Sequence, residues 1–258
     1  MAPTPPQPNQ ILATAPVPPR APKPLLRLAG QAIADYRMIR PGDRLLLGLS
    51  GGKDSLSLLQ VLRTLQVKSP AKFDLACATV DPCIDGYDPF YLKAYVDGLG
   101  IPYFYRRQAI VARALKTMRG DSFCSYCARI RRGILYETAR QEGYNVLVMG
   151  QHLDDLAESF LMSAFHNGRL GTMKAHYTID AGDLRVIRPF VYVRERQTRD
   201  FAERAKLPVT QDNCPACFRI PTQRLAMKQL LAAQEKDHPR LFDSLLAAMR
   251  PLMGEIPK

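Results

Sequence analysis

A short apolar run at residues 45–49 enters Ser50-Gly51-Gly52-Lys53-Asp54-Ser55 and leaves as a helical pattern over 56–66. An apolar run of this length closed by glycines reads as a strand buried on both faces. Strand, glycine turn and helix together open a βαβ unit, which commits the chain to a parallel sheet. The rest of the sequence keeps the pattern. Strands are expected at 73–80, 101–105 and 146–150, and helices at 89–99, 128–142 and 153–165. The predicted fold class is therefore α/β: a parallel sheet with helices on both faces, Rossmann-like in architecture. A helix at 25–39 precedes this unit. A further strand or extended segment is expected at 185–193, and C-terminal helices at 197–206, 222–234 and 241–249. No internal repeat is present.

Residues 1–24 hold nine of the 21 prolines and almost no large apolar side chains. Such a stretch cannot bury enough surface to offset its ordering entropy, so a disordered tail is expected ahead of one folded domain over 25–258. Its prolines interrupt the apolar core that a signal peptide needs, and it lacks the amphipathic, Ser/Arg-rich character of a transit peptide. A cytoplasmic location is the default. No apolar run approaches the roughly 18–20 residues that span a bilayer, so no membrane partner is expected. With 47% hydrophobic and 23% charged residues, the composition excludes a wholly disordered chain, a collagen and a coiled coil.

The charge points to a polyanion. Lys and Arg number 36 against 24 Asp and Glu, a net charge of +12. Residues 106–140 alone carry nine basic groups against Asp121 and Glu137, a net +7. A solvated helix face usually mixes its signs, whereas one-signed crowding repels itself unless an anion covers it. Arg129, Arg131 and Arg132 are the candidate nucleic-acid contacts.

The glycine loop suits phosphates. Gly51 and Gly52 allow close backbone approach, and the following helix start offers unpaired N–H groups and the positive end of a dipole. Lys53 adds a cation, and Ser50 and Ser55 add hydroxyls. The string is neither a Walker A motif nor a G-x-G-x-x-G dinucleotide loop, and an ordinary tight turn is the bland alternative. A second string, Gly150-Gln151-His152-Leu153-Asp154-Asp155, falls at the end of the fourth strand and the start of a helix. That position brings its carboxylates to the same sheet edge as the loop. Otherwise, Asp154 merely favours a helix start.

Cys124-Ser-Tyr-Cys127 and Cys214-Pro-Ala-Cys217 form two C-x-x-C pairs separated by 86 residues. The separation fits no local zinc ribbon. A distant zinc site of four thiolates, an iron–sulfur cluster with one open iron, a redox disulfide and accidental spacing all remain open. Cys77 lies within a strand and reads as a small buried hydrophobe. Cys83 has no assigned role.

The Ser-Gly-Gly-Lys-Asp-Ser string after a strand resembles the PP-loop of the N-type ATP pyrophosphatase superfamily, and the G-x-x-x-D-D string at 150–155 is similar to the superfamily's second signature. Cys124-Ser-Tyr-Cys-Ala-Arg-Ile-Arg-Arg-Gly-Ile-Leu-Tyr136 resembles the C-S-x-C-x-R-x-R-R-G-I-L-Y segment of the tRNA 2-thiocytidine biosynthesis (TtcA) family. Residues 34–39, 165–173 and 186–190 are similar to that family too, and the resemblance runs from about 25 to 250. Gln151 stands where that family usually has His.

The resemblance implies ATP bound by Ser50, Gly51, Gly52, Lys53, Asp54, Ser55 and Gly150, with Lys53 and Asp155 catalytic and Mg²⁺ organised by Asp155. It implies a [4Fe–4S] cluster held by Cys124, Cys127 and one of Cys214 and Cys217. The implied reaction adenylates a pyrimidine C2 oxygen in tRNA and replaces it with sulfur, giving 2-thiocytidine at position 32, with a cysteine desulfurase as donor. A homodimer is compatible with it. The rival expectation is a PP-loop enzyme that adenylates tRNA or an amide without sulfur transfer, with structural zinc at the cysteines.

Overall fold

The structure is a computed structural model and describes residues 19–83, 88–110, 113, 123–210 and 223–254, with backbone alone at 123–125. Among these residues, six strands form one sheet: β1 (Asp43–Gly48), β2 (Phe73–Asp81), β3 (Tyr103–Arg107), β4 (Val146–Val148), β5 (His176–Thr178) and β6 (Arg185–Ile187). Their order is β3-β2-β1-β4-β6-β5. All neighbours are parallel except β5, which pairs antiparallel with β6.

The central position of β1 explains its unbroken apolar run. Leu47 pairs with Cys77 of β2 on one side and Val148 of β4 on the other. Successive side chains alternate between faces. Leu45 and Leu47 join the core beneath α1 (Lys23–Asp35), α2 (Lys53–Lys68) and α5 (Leu153–Asn167), while Leu46 joins Ala76, Ala78 and Leu147 on the opposite face. There α4 (Phe123–Gln141) supplies Leu135 and Ala139. Two cores on two faces make the doubly covered sheet expected of parallel strands.

The remaining helices are α3 (Tyr91–Asp97), α6 (Glu195–Arg204), α7 (Gln223–Asp237) and α8 (Leu241–Met249). Both α7 and α8 pack on α5, and α6 packs on α2. None of the described helices is long and apolar enough to cross a membrane.

Several boundaries differ from expectation for local reasons. Gly52 caps α2 with extended backbone, so Lys53, Asp54 and Ser55 form the helix's first turn instead of a loop before it. The first helix opens at Lys23 behind Pro22, with a proline in its first turn, where the missing N–H has no helical partner to lose. The rest of the proline-rich stretch, residues 1–18, lies outside the described residues. The segment 185–193 is a strand only at Arg185–Ile187. Beyond it, Val191 donates to Arg188 O and Val193 to Phe190 O, so Pro189 begins a buried turn.

The sheet order reverses between β1 and β4. In an open parallel sheet, the crevice beyond the carboxyl ends at such a switch is the place for a ligand. Both sequence motifs emerge there, Ser50–Ser55 from β1 and Gly150–Asp155 from β4.

Candidate active site at the sheet switch

A cavity of about 310 Å³ opens at this crevice. Its floor is Gly48, Leu49, Ala78 and Val80; one wall is Ser50, Asp54, Ser55 and Gly150. The facing wall is α4, through Ala128, Arg131, Arg132 and Leu135. Gln151, Asp155 and Arg224 complete the rim. The structure thus brings the glycine loop, the second acidic motif and the arginines of the first cysteine segment around one space. Arg129 is outside the lining.

The loop is held by its own serines. Ser50 Oγ lies 3.1 Å from Ser55 Oγ and accepts from Gly52 N–H at 3.2 Å, while Ser55 Oγ donates to Gly52 O at 3.0 Å. The hydroxyls therefore shape the loop first. What faces a ligand is the N–H groups of the α2 first turn, which have no helical acceptor. Two glycines make this packing feasible. Gly51 has φ +81°, and a Cβ there would fall 2.0 Å from Thr210 Oγ1. A Cβ on Gly150 would touch the Ser55 backbone at 3.4 Å, so the two motifs meet main chain to main chain.

Lys53, the cation of the loop, is engaged by carboxylates. Its Nζ pairs with Asp54 Oδ2 at 2.9 Å and Glu195 Oε1 at 3.0 Å, and it is not among the lining residues. Burial opposes the Lys53 charge, but Asp54 and Glu195 outweigh it and hold the ammonium above its usual range. Glu195 also receives Lys228 of α7 at 2.6 Å. Burial alone would raise the Glu195 carboxyl; the two lysines outweigh that and lower it to about 2. Asp54 is fixed further by Thr198 Oγ1, which donates to Oδ1.

The acidic string divides its work. Asp154 turns to Arg194 and the Glu195 N–H, seating α6. Asp155 lines the cavity, yet both its oxygens have partners: Oδ2 accepts from His152 N–H at 3.0 Å, and Oδ1 from Arg224 Nη2 at 2.6 Å. The Asp155 N–H returns a bond to His152 Nδ1, closing a capping box. Because Nδ1 accepts, the imidazole proton resides on Nε2, 3.7 Å from Asp54 Oδ2. Arg224 also binds Glu158 at 2.7 Å. Burial raises the Glu158 carboxyl, with Arg224 opposing.

The basic stretch is less naked than its sequence. Arg106 pairs with Glu142 and Arg140 with Asp183, and Arg107 lies 3.5 Å from Asp81. The cation excess facing the cavity comes from Arg131 and Arg132. Lys116 and Arg119 lie outside the described residues.

Cys127 is half-buried on α4, next to the lining residue Ala128. Cys124 is three helical positions earlier, its side chain outside the described residues, as are Cys214 and Cys217 entirely. No three metal-ligating side chains gather among the described residues. Cys77 is fully buried, as expected, and burial pushes its thiol up. The sequence reading missed Arg224, Glu195, Lys228, Thr198 and Arg188. Arg188 lies in the family-like segment 186–190, but the segment alone assigns it no role; the other four carry no local motif and are brought in by the chain's return after β6.

A phosphate-shaped loop at the switch of a parallel sheet, facing an arginine-bearing wall, defines an ATP-binding α/β protein. A PP-loop domain profile matches residues 25–231. A tRNA-cytidine(32) 2-sulfurtransferase of Geobacter sulfurreducens is 38% identical over 230 residues, covering 88% of this chain and 89% of that protein. Its namesake in Stenotrophomonas maltophilia is 38% identical over 88% of this chain and 74% of its own. Among solved structures, the U34-tRNA thiolase NcsA from Methanococcus maripaludis with its [4Fe–4S] cluster superposes with a TM-score of 0.73 at 24% identity, over 91% of this chain and 79% of that one. The chain belongs to the PP-loop family and, within it, to the group formed by these tRNA-cytidine(32) 2-sulfurtransferases.

Proposed function

We propose that this protein is an ATP-dependent tRNA sulfurtransferase that converts cytidine 32 to 2-thiocytidine. The supporting observation is the shared cavity walled by the PP-loop on one side and the cysteine-bearing helix α4 on the other. The strong likeness to 2-sulfurtransferases over most of both chains supports the substrate.

In this reading the triphosphate lies against the α2 first turn and Gly150. The pyrimidine O2 attacks the α-phosphate, forming a C–O–P link and releasing pyrophosphate. Hydrosulfide then bonds to C2, its proton passing to solvent, and the C2–O bond breaks as AMP leaves with the oxygen. The backbone N–H groups of 53–55 stabilise charge growing on the phosphates, as fixed dipoles do in a partly dry site. Lys53 joins them when phosphate oxygens replace Glu195 beside it. Arg131 and Arg132 hold the RNA backbone.

The donor set fits the two groups this chemistry calls for. Asp155 offers a carboxylate in the cavity wall for Mg²⁺, in exchange for its bond to Arg224. Cys124, Cys127 and one of Cys214 and Cys217 would hold a [4Fe–4S] cluster, which would supply iron as a binding site for sulfur. A cysteine desulfurase is the proposed sulfur source, its persulfide sulfur being reduced to the sulfide level by a thiol reductant.

The test is anaerobic reconstitution with iron and sulfide, then nucleoside analysis of tRNA incubated with ATP, Mg²⁺ and sulfide as the sulfur donor. ATP-dependent 2-thiocytidine is expected. In single Cys→Ala variants, Cys124, Cys127 and one cysteine of the second pair lose both the visible absorbance and thiolation, while the fourth tolerates replacement. Zinc without iron, and equal loss from all four cysteines, overturns sulfur transfer in favour of a structural metal.

A further inference from the structure

One polar side chain in the cavity wall has its hydrogen-bonding sense fixed from behind. Gln151 follows Gly150 and lines the cavity. Its amide oxygen accepts from Arg188 Nε at 2.9 Å. Arg188 is itself buried, at 3% exposure. It also donates to Lys174 O at 2.6 Å and lies over the Tyr177 ring at 5.6 Å. The Tyr177 hydroxyl in turn meets Tyr136 of α4 at 3.1 Å. The guanidinium is thus clamped between the end of β4 and the α4 wall.

Arginine has only donors. Flipping the Gln151 amide would set N–H against N–H in a buried place, which disfavours the flipped form by roughly tenfold or more. The oxygen therefore stays with Arg188, and the NH2 group is the end left for the cavity. A pyrimidine tells cytosine from uracil at one ring atom within reach of such a donor. N3 of cytosine is a lone-pair acceptor, whereas N3 of uracil carries a hydrogen. O2 accepts in both bases and cannot discriminate.

We propose that Gln151 donates to N3 of the target base and is the residue that selects cytosine over uracil, with Arg188 as its positioning residue. The proposal rests on the reading of the cavity as the site of cytidine modification. Its location suits that role. Gln151 is one residue from Gly150, which packs on the PP-loop, and is linked through Arg188 and Tyr177 to the helix bearing Cys127. A base held by N3 keeps its neighbouring C2 oxygen free for adenylation.

The experiment is equilibrium binding of two anticodon-loop RNA hairpins, identical except for C or U at the target position, to wild-type protein, Gln151→Glu and Gln151→Met. Glutamate keeps an oxygen for Arg188 but turns the cavity-facing atom into an acceptor. Wild type is expected to prefer the cytidine hairpin by roughly five- to tenfold, as for one well-placed hydrogen bond. Gln151→Met removes the preference and lowers the melting temperature, because Arg188 Nε loses its acceptor; Gln151→Glu reverses the preference toward uridine with the melting temperature unchanged. Equal wild-type binding of both hairpins, or a preference intact in Gln151→Glu, overturns the proposal. A uniform loss on both hairpins in Gln151→Glu also overturns it. Thiolation of the same RNAs by wild type separates the two readings: base preference without any thiolation leaves the recognition standing and sinks the sulfur-transfer function.

Discussion

At the scale of single residues, Lys53 and Asp155 are each engaged in structure as well as proposed chemistry. Removing Lys53 leaves Glu195 its second cation, Lys228, so Lys53→Ala is expected to keep the fold with a melting temperature within a few degrees of wild type. ATP-dependent tRNA modification should collapse; a variant that modifies tRNA at the wild-type rate would remove Lys53 from the phosphate site. Asp155 needs a finer contrast, because it closes the capping box of α5, a role worth about 1 kcal/mol. Asp155→Asn retains an oxygen to accept from the His152 N–H but loses the charge. Its stability should fall only slightly, because the lost bond to Arg224 is half-exposed and Arg224 keeps Glu158, while adenylation, measured by pyrophosphate release, slows by about 10²-fold. Asp155→Ala adds the capping loss. Full turnover in Asp155→Asn at saturating Mg²⁺ would reduce Asp155 to a helix cap.

At the scale of elements, helix α7 is pinned to the loop by charge. Lys228 and Lys53 share Glu195, and Arg224 bridges Asp155 and Glu158. The Glu195 carboxyl lies at about 2 when folded, below its ordinary 4.5. Its contribution is therefore complete above about pH 4.5 and is lost as pH falls toward about 2, because the unfolded chain binds the proton first. Thermal unfolding followed from pH 6 to pH 3 should show a steeper fall in wild type than in Glu195→Gln; parallel curves would mean that the pair does not stabilise the fold. This tie was illegible in the sequence. A strand announces itself through neighbouring residues, and the runs at β1 and β2 did so. An ion pair between positions 53 and 195 has no local period. The same reason hid β5, two half-buried residues and the exposed Thr178, which pair along the edge of β6. Conversely, 185–193 is buried and, apart from Arg185 and Arg188, largely apolar, yet it turns after Ile187, since burial and strand pairing leave the same trace in composition.

At the scale of the whole molecule, the net charge of +12 overstates the surface available to RNA. Arg106 and Arg140 are neutralised by carboxylates, and Arg107 lies beside Asp81, so the proposed RNA contacts converge on the α4 wall. Affinity for tRNA should fall with salt in proportion to the phosphates contacted, at about 0.7–0.9 in log–log slope for each. Replacing both Arg131 and Arg132 by Gln should reduce that slope by about one to two and weaken cytidine and uridine hairpins alike. An unchanged slope would move the RNA to another face. The two motifs that frame the cavity were readable because each sits at a strand end, where a parallel sheet has one place to put them. The wall opposite could be read only as a basic, cysteine-bearing helix; its facing the loop required the third dimension.

The loop's distant partners bear on how the protein is made. Asp54 receives Thr198 across 144 positions, and Thr210 donates its backbone N–H to Gly51 O. A ribosome delivers the N-terminus first, so the glycine loop emerges long before the residues that fix it. A nascent chain ending before residue 195 holds every residue of 50–55 but lacks the contacts that fix Lys53 and Asp54 in place. The serine bonds that shape the loop are local and can form early, whereas Lys53 and Asp54 are aimed only late in synthesis.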